Sequence, residues 1–185
     1  MNKALFLDRD GIINVEKNFV HKREDFEFVE GIFDLVSCAN YVGYLVIVVT
    51  NQAGIARGYY SEADFHVLMN WMKGKFLAKG GRIDRVYFCP YHPEFGIGEY
   101  RQSSKNRKPE PGMFFEAAEQ LNIDLKNSIM VGDRLSDMEA AARASIPWRF
   151  CMGECEQQEM GKQIRKLQEV IDFIKALPSE KNYSC

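Results

Sequence analysis

Two aspartates, one residue apart, end a short apolar run near the N-terminus. The run covers residues 4–7, and Asp8 and Asp10 come directly after it, followed by Gly11. Four apolar residues bounded by charge predict a buried strand, and ligands of open α/β sheets bind at the carboxyl ends of strands. Two carboxylates there could hold Mg²⁺, and one could attack phosphorus to form an aspartyl-phosphate. Taken alone, however, the pair is better explained as a strand end followed by an Asp-Gly turn.

Later parts of the chain repeat this arrangement. Thr50 and Asp133 each follow a short apolar run, as Asp8 does, and Arg107 with Lys108 supplies two cations between proline-stiffened turns. Because the carboxyl ends of parallel strands meet at one edge of the sheet, these groups could converge in a single crevice.

Hydrolysis of a phosphate monoester needs such a set of groups, because the ester is a dianion that repels an attacking carboxylate. Mg²⁺ held by Asp8 and Asp133 would offset that repulsion, and Lys108 and Thr50 would add a positive charge and a hydrogen-bond donor. Asp10 could then serve as general acid for the leaving group and general base for water.

Each group also has an ordinary structural explanation. Thr50 alone is more often a strand-end cap, and Lys108 alone is more often a solvated surface lysine. Asp133 and Asp137, four residues apart, could be a helix N-cap and an acid in the first turn. Only the ordered combination favours the functional interpretation.

The elements that must position these groups alternate between strand and helix patterns. Predicted strands cover 4–7, 45–49, 83–89, 128–131 and 146–150, and predicted helices cover 31–41, 61–79, 113–121, 138–144 and 159–177. This alternation predicts an α/β fold, a three-layer, doubly wound (Rossmann-like) parallel sheet with helices on both faces.

The domain organisation is predicted from length and from the segments between these elements. A single domain is expected over residues 1–178, with a loose tail at 179–185. A short flap at about 12–28 follows the first strand, and an irregular loop covers about 90–106. Neither interval leaves room for a large cap domain.

Composition limits the partners and the compartment. The 185 residues carry a formal net charge of -2, which favours a small-molecule substrate over nucleic acid. Five scattered cysteines argue against a disulfide framework and favour a reducing cytosol. No secretory leader and no apolar run near the ~20 residues of a membrane span are visible. We therefore expect a cytoplasmic protein, without membrane partners, that works as a monomer.

The ordered motifs resemble those of the haloacid dehalogenase superfamily. They are Asp8-Arg-Asp10-Gly, Thr50-Asn-Gln, Arg107-Lys108-Pro and Gly132-Asp133-x-x-x-Asp137. The resemblance implies that Asp8 is the nucleophile and Asp10 the acid/base. It also implies that Mg²⁺ binds Asp8, the backbone carbonyl of Asp10, and Asp133, with Asp137 supporting the site from behind.

The same resemblance implies which residues contact the substrate. Thr50, Arg107 and Lys108 are expected to stabilise the transition state. The expected substrate-binding residues are Glu16, Lys17, Asn18, Phe19, Thr50, Asn51, Gln52, Ala53, Arg107, Lys108 and Arg134. Ala53 and Arg134 depart from the serine and lysine that are usual in the family, which affects fine specificity and not the reaction.

Longer stretches are similar to the histidinol-phosphatase-like subfamily; they are 8–14, 26–31, 50–60 and 107–113. This similarity implies removal of the 7-phosphate from a heptose 1,7-bisphosphate, in the supply of activated heptose for surface polysaccharide. Histidinol phosphate is the alternative substrate. A non-catalytic phosphosugar-binding domain is the alternative of another class, although such a domain has no need for both a nucleophile and an acid/base.

One departure concerns a structural zinc that this family commonly carries in the loop before the Arg-Lys pair. Its ligands there are Cys-x-His followed by Cys-x-Cys. Here Cys89 is present, but Tyr91, Ser104 and Asn106 occupy the other positions, and His92 is displaced by one. Because a closed zinc site needs four N or S ligands, no structural zinc is expected, and Mg²⁺ is the expected cofactor.

Overall fold

The computed structural model describes residues 1–155 and 160–178, which contain a six-stranded parallel sheet. Its strands are β1 (Lys3–Leu7), β2 (Tyr44–Asn51), β3 (Arg85–Cys89), β4 (Ile129–Arg134), β5 (Trp148–Glu154) and β6 (Lys162–Gln163). They lie in the order β3-β2-β1-β4-β5-β6, and neighbours are parallel. The chain order reverses between β1 and β4, so the carboxyl ends of these strands open into a crevice at a topological switch point.

Helices cover both faces of this sheet. They are α1 (Ile32–Tyr41), α2 (Ala53–Ala56), α3 (Glu62–Ala78), α4 (Gly112–Leu121), α5 (Leu135–Arg143) and α6 (Gln168–Ala176), with 3₁₀ turns at Gly98–Tyr100 and Leu125–Asn127. Leu5 and Leu7 of β1 pack in the layer with α1, α3 and α6, whereas Ala4 and Phe6 pack in the layer with α4 and α5. Successive strand residues point to opposite faces, so an unbroken apolar run is what a centrally placed strand requires. The predicted three-layer α/β fold is confirmed.

The segment between β1 and α1 is a loop, and its role as a flap stays a prediction. Asn14 bridges to Phe28 in antiparallel fashion, and the Val15 amide donates to the Glu27 carbonyl at 2.8 Å. These backbone contacts close the segment on itself at its base. The flap residues between them reach the crevice, as described below.

Some predicted boundaries are wrong. The last helix was predicted over 159–177, but α6 begins at Gln168, and residues 156–159 lie outside the described residues. Ile164 and Leu167 are buried from the turn before the helix, so their apolar spacing matched a helix without forming one. The strand β6 is two residues long and leaves no pattern to detect. The predicted tail at 179–185 also lies outside the described residues.

The cysteine count argued against a disulfide framework, and the structure contains one local bridge near the end of β5. Cys151 of β5 is bonded to Cys155, with their Cα atoms 6.3 Å apart, whereas Cys38 and Cys89 are free thiols. The bridge closes a local loop around the end of β5. An odd, scattered cysteine count excludes a framework of bridges, but it cannot exclude a single pair brought together by one turn of backbone.

Among the described residues, no helix is long and apolar enough to cross a membrane.

Candidate active site

The crevice at the strand ends is a cavity of about 370 Å³. It is lined by Asp8, Asp10, Glu16, Asn18, Phe19, Asn51, Gln52, Ala53, Tyr60, Arg107, Lys108, Arg134, Ser136 and Asp137. Most of the residues predicted to bind substrate are therefore brought together. Thr50 is buried and bonded to the lining residue Gln52, whereas Lys17 is not in the lining and pairs with Glu27 at 2.9 Å.

Lys108 is a buried lysine held by three acceptors. Its Nζ lies 2.9 Å from Asp8 Oδ1 and 2.5 Å from Asp137 Oδ1, and it donates to the Val49 carbonyl at 2.8 Å. The ammonium therefore donates a hydrogen bond to Val49 and forms ion pairs with two carboxylates. Burial alone would lower the pKa of Lys108, but the charges of Asp137 and Asp8 outweigh it and raise the pKa. Lys108 is therefore a fixed positive charge beside the proposed nucleophile.

The backbone of Lys108 is held by Asn51. The Asn51 side chain donates from Nδ2 to the Lys108 carbonyl and accepts the Lys108 amide on Oδ1, both at 3.0 Å. This pairs the end of β2 with a segment 57 residues later in the chain. The Asn51 amide group is thus engaged with the protein, and its expected contact with the substrate stays a prediction.

Asp137 connects Lys108 to the start of α5. While its Oδ1 faces Lys108, its Oδ2 accepts the backbone amides of Asp133 at 3.2 Å and Arg134 at 3.0 Å. Gly132 allows this close approach, because a Cβ there would collide with the Asp137 side chain. The ordinary explanation of Asp137 as an acid in the first turn of α5 is correct, whereas the N-cap is Arg134 and not Asp133. Asp137 also orients the catalytic lysine candidate.

A divalent cation fits beside these groups. Ligand atoms of Asp8, Asp133 and Asp137 lie within 4.8 Å of one another, and Asp133 Oδ1 is buried without a hydrogen-bond partner among the described residues. Both oxygens of Asp137 are already engaged, which leaves Asp8 and Asp133 as carboxylate ligands. The three carboxylates and the Lys108 ammonium carry a formal charge of −2, which one Mg²⁺ would neutralise.

The raised pKa values of the two carboxylate ligands, Asp8 and Asp133, also favour a bound cation. Burial, with the neighbouring carboxylates adding to it and Lys108 opposing it, raises the pKa of Asp8 to about 6. Burial and the charges of Asp8 and Asp137 raise the pKa of Asp133 to about 8. Such shifts mark carboxylates whose burial and mutual repulsion outweigh the positive charge beside them. Gly11, at φ 87°, leaves room for the Asp133 carboxylate that a Cβ would displace.

Asp10 is bound by three donors that come from separate parts of the site. Arg9 donates from Nε and Nη2, Asn14 donates to Oδ1 at 3.0 Å, and Gln52 donates to Oδ2 at 3.2 Å. Gln52 in turn donates to Thr50 Oγ1 at 2.8 Å and accepts the Tyr60 hydroxyl at 2.6 Å. The proposed acid/base and the threonine motif therefore belong to one hydrogen-bond network.

Four residues of this site were not predicted individually: Arg9, Asn14, Tyr60 and Ser136. The first three lie inside the stretches that carry the family resemblance, so their positions were available as a signal. Their roles were not, since a charged residue such as Arg9 is ordinarily expected at the surface. Burial raises the pKa of Tyr60 to about 12, and Gly54 makes space for its ring.

The flap covers the crevice from the side of β1. Its Glu16 pairs with Arg134 at 3.1 Å, which links the flap to the carboxyl end of β4. Asn18 and Phe19 both have φ 58°, a left-handed conformation that is uncommon for a bulky residue. Phe19 packs edge-on against Tyr59, with ring centroids 5.0 Å apart.

The loop that would carry zinc in related enzymes is held by protein contacts. His92 Nδ1 accepts the amides of Glu94 and Phe95, each at 3.2 Å. The Tyr100 hydroxyl donates to Glu62 at 2.9 Å, and Arg107 donates to the Tyr91 carbonyl at 3.2 Å. Aromatic residues also pack within this loop, where the ring centroids of Tyr91 and Tyr100 lie 6.0 Å apart.

Comparison with known proteins first defines the class. A family model described as HAD-hydrolase-like matches residues 105–172. A HAD-like phosphatase from Mesorhizobium loti superposes with a TM-score of 0.86 at 35% identity, over 94% of this chain and 85% of that chain. The fold and these matches place the chain among the haloacid dehalogenase-like phosphohydrolases.

More similar relatives narrow the class to a family. A D-glycero-alpha-D-manno-heptose-1,7-bisphosphate 7-phosphatase from Burkholderia mallei is 54% identical over 78% of this chain and 77% of its own length. The beta-anomer enzyme of Vibrio cholerae is 44% identical over 95% of this chain and 94% of its own. The D,D-heptose 1,7-bisphosphate phosphatase of B. bronchiseptica, solved with magnesium and phosphate, superposes with a TM-score of 0.83 at 26% identity, over 94% and 98%. The chain belongs to the D-glycero-D-manno-heptose-1,7-bisphosphate 7-phosphatase family.

Proposed function

We propose that this protein is a Mg²⁺-dependent phosphatase that removes the 7-phosphate from D-glycero-D-manno-heptose 1,7-bisphosphate through an aspartyl-phosphate on Asp8. The observation that carries the proposal is the buried arrangement of Asp8, Lys108 and Asp137 beside the unpartnered Asp133 oxygen. Together with 44–54% identity to two enzymes named for this reaction, it supports the reaction and the substrate class. The product would feed nucleotide-activated heptose for surface polysaccharide.

The proposed reaction has two steps. In the first, an Asp8 carboxylate oxygen bonds to phosphorus while the bond from phosphorus to the C7 oxygen breaks, and Asp10 gives its proton to that oxygen. In the second, Asp10 takes a proton from water as the water oxygen bonds to phosphorus and Asp8 is released. Lys108 is fixed 2.9 Å from Asp8, where it offsets the charge of the transferring phosphoryl group.

The metal would be held by Asp8, Asp133 and the backbone carbonyl of Asp10. When bound, Mg²⁺ neutralises part of the charge on the phosphate and on the two carboxylates. Asp137 would keep Lys108 in place without binding the metal. These assignments are supported by the engaged oxygens of Asp137 and by the free oxygen of Asp133.

Substrate binding is assigned to the cavity lining. Arg107 and Arg134 contribute positive charge to the cavity. No cap domain closes this cavity within the described ranges 1–155 and 160–178, which suits an extended bisphosphate. Glu16, Asn18 and Phe19 of the flap would face the sugar. Because the relatives carry both the alpha and the beta anomer in their names, both anomers belong in the test.

The remaining parts of the proposal concern the state of the protein. It works as a cytoplasmic monomer, without nucleic-acid or membrane partners, and with Mg²⁺ but no structural zinc. The absence of zinc is supported by the three non-ligating replacements Tyr91, Ser104 and Asn106. Elemental analysis of the purified protein tests it, since one tightly bound zinc per chain would contradict it.

The reaction is tested by measuring kcat/KM of the purified protein with Mg²⁺. The substrates are both anomers of the heptose bisphosphate, histidinol phosphate and a 3′-phosphorylated oligonucleotide. We expect one heptose anomer to be the best substrate. Fast turnover of histidinol phosphate with none of either heptose would replace the proposed substrate, and no turnover of any phosphate would favour a binding domain.

A further inference from the structure

Arg9, between the two aspartates of the first motif, is fully buried. Its guanidinium lies against Asp10: Nε is 3.1 Å from Asp10 Oδ2, and Nη2 is 2.7 Å from each Asp10 oxygen. The same Nη2 donates to the backbone carbonyl of Val20 in the flap at 2.7 Å. Nη1 is buried and has no hydrogen-bond partner among the described residues.

Stability alone is a poor explanation for this arrangement. A buried ion pair must first overcome the desolvation of both charges, and apolar residues of similar volume are often as stable. Here one nitrogen of the guanidinium, Nη1, has no hydrogen-bond partner in the described part of the chain, which adds to the cost. The Phe65 ring centroid lies 5.8 Å from the guanidinium carbon, and the Tyr60 hydroxyl is a further neighbour.

We propose that Arg9 is a positioning residue, which fixes the Asp10 carboxylate and ties it to the flap backbone at Val20. The planar fork of arginine matches a carboxylate through two parallel N–H groups, a grip that a single ammonium cannot reproduce. Asn14 and Gln52 reach Asp10 with one donor each, so Arg9 supplies the orienting contact. This inference rests on the proposed role of Asp10 as acid/base.

The chemistry of the leaving group makes the role measurable. When the phosphoryl group is transferred from a sugar to Asp8, the bond between phosphorus and the sugar oxygen breaks. The sugar leaves as an alkoxide, which needs the Asp10 proton. The phenolate released from p-nitrophenyl phosphate is a weak base and leaves without that proton. Loss of Asp10 positioning should therefore slow the sugar substrate far more than the aryl substrate in kcat/KM, which reports the step up to leaving-group release.

The experiment compares Arg9→Met and Arg9→Lys with the unaltered protein, in saturating Mg²⁺. We expect Arg9→Met to lower kcat/KM for the heptose bisphosphate by about 10²-fold, within the usual range for general acid catalysis, and for p-nitrophenyl phosphate by less than about tenfold. Arg9→Lys keeps the charge but not the fork, so it should stay close to Arg9→Met. The ratio of the two kcat/KM values does not depend on the fraction of protein that folds.

A matched control is Arg82→Met. Arg82 also pairs with a nearby aspartate, Asp84 at 2.7 Å, but it is exposed and precedes β3 at the opposite end of the sheet. Its ratio should equal that of the unaltered protein. Equal losses on both substrates in Arg9→Met, or full activity in Arg9→Lys, would overturn the inference.

A wrong substrate proposal would give a result that differs from a wrong assignment of Arg9. If the unaltered protein does not hydrolyse either heptose anomer, the substrate proposal fails, and the best alkyl phosphate among the tested substrates takes its place in the ratio. Arg9 is then still tested, because any alkyl leaving group needs the proton. The two proposals therefore fail separately.

Discussion

Replacing Asp137 by asparagine tests how the buried charges hold the site together. The side chain stays the same size but loses its charge and one acceptor. At present Oδ1 faces Lys108 at 2.5 Å, and Oδ2 accepts the amides of Asp133 and Arg134. Asparagine has one acceptor oxygen, so either Lys108 or the two amides must lose their partner.

The expected cost follows from this loss. Breaking one side of a buried ion pair costs about 3–5 kcal/mol, and a domain of this length loses about 2–4 °C in Tm per kcal/mol. With Mg²⁺ bound, Asp137→Asn leaves a net positive charge among groups that were neutral as a set. Without Mg²⁺, the substitution also removes repulsion from Asp8 and Asp133. We therefore predict a loss of about 6–20 °C in saturating Mg²⁺, and a smaller loss without it.

The assay is thermal unfolding at neutral pH, with and without Mg²⁺. Asp172→Asn is the matched control, because Asp172 is an exposed helix residue whose carboxylate accepts only the Gln168 side chain among its described contacts, at 2.8 Å. It should change stability by no more than about 0.5 kcal/mol. A loss below about 1 kcal/mol for Asp137→Asn in Mg²⁺, or a larger loss without Mg²⁺ than with it, would refute the reasoning.

Three further predictions follow from other contacts. The pKa of Asp133 is raised to about 8, so the unfolded chain loses this proton at lower pH than the folded protein does. The stability of the Mg²⁺-free protein should therefore fall as pH rises from about 4 to 8, by up to about 1.4 kcal/mol per pH unit. The thermal shift caused by Mg²⁺ should grow over the same window; a shift independent of pH would contradict it. Asn51→Leu removes both bonds to the Lys108 backbone, so kcat should fall at least tenfold and stability by about 1–3 kcal/mol, whereas unchanged kcat would show that Lys108 is held elsewhere. Reducing the Cys151–Cys155 bridge, or Cys155→Ser, should lower stability by about 2 kcal/mol for so short a loop; Cys38→Ser is the control, and an equal melting temperature in reductant would contradict the bridge.

Most of the site could be predicted from sequence because one physical rule assembles it. Asp8, Thr50 and Asp133 each follow an apolar strand, and parallel strands bring such ends to one edge. Their order along the chain was therefore enough to predict the crevice. The resemblance to a family then assigned roles that spacing alone leaves open.

The contacts between distant side chains could not be predicted. The Asn51 side chain hydrogen-bonds the backbone of Lys108, 57 positions away, and nothing in the local sequence indicates that partner. Arg9 is buried although arginine is usually found at the surface, because the Asp10 carboxylate and the Val20 carbonyl accept its hydrogen bonds. The pair Cys151–Cys155 and the short strand β6 depend on how one loop turns, which apolar periodicity does not record.

The most direct test of the central claim is to look for the phosphoryl group on Asp8. The protein is mixed with heptose 1,7-bisphosphate and Mg²⁺, quenched in acid within a turnover, and digested for peptide mass spectrometry. Asp8 should carry a phosphoryl group that disappears as substrate is exhausted, and Asp8→Asn should abolish both this signal and turnover. Turnover without phosphorylated Asp8, or retained activity in Asp8→Asn, would contradict the account.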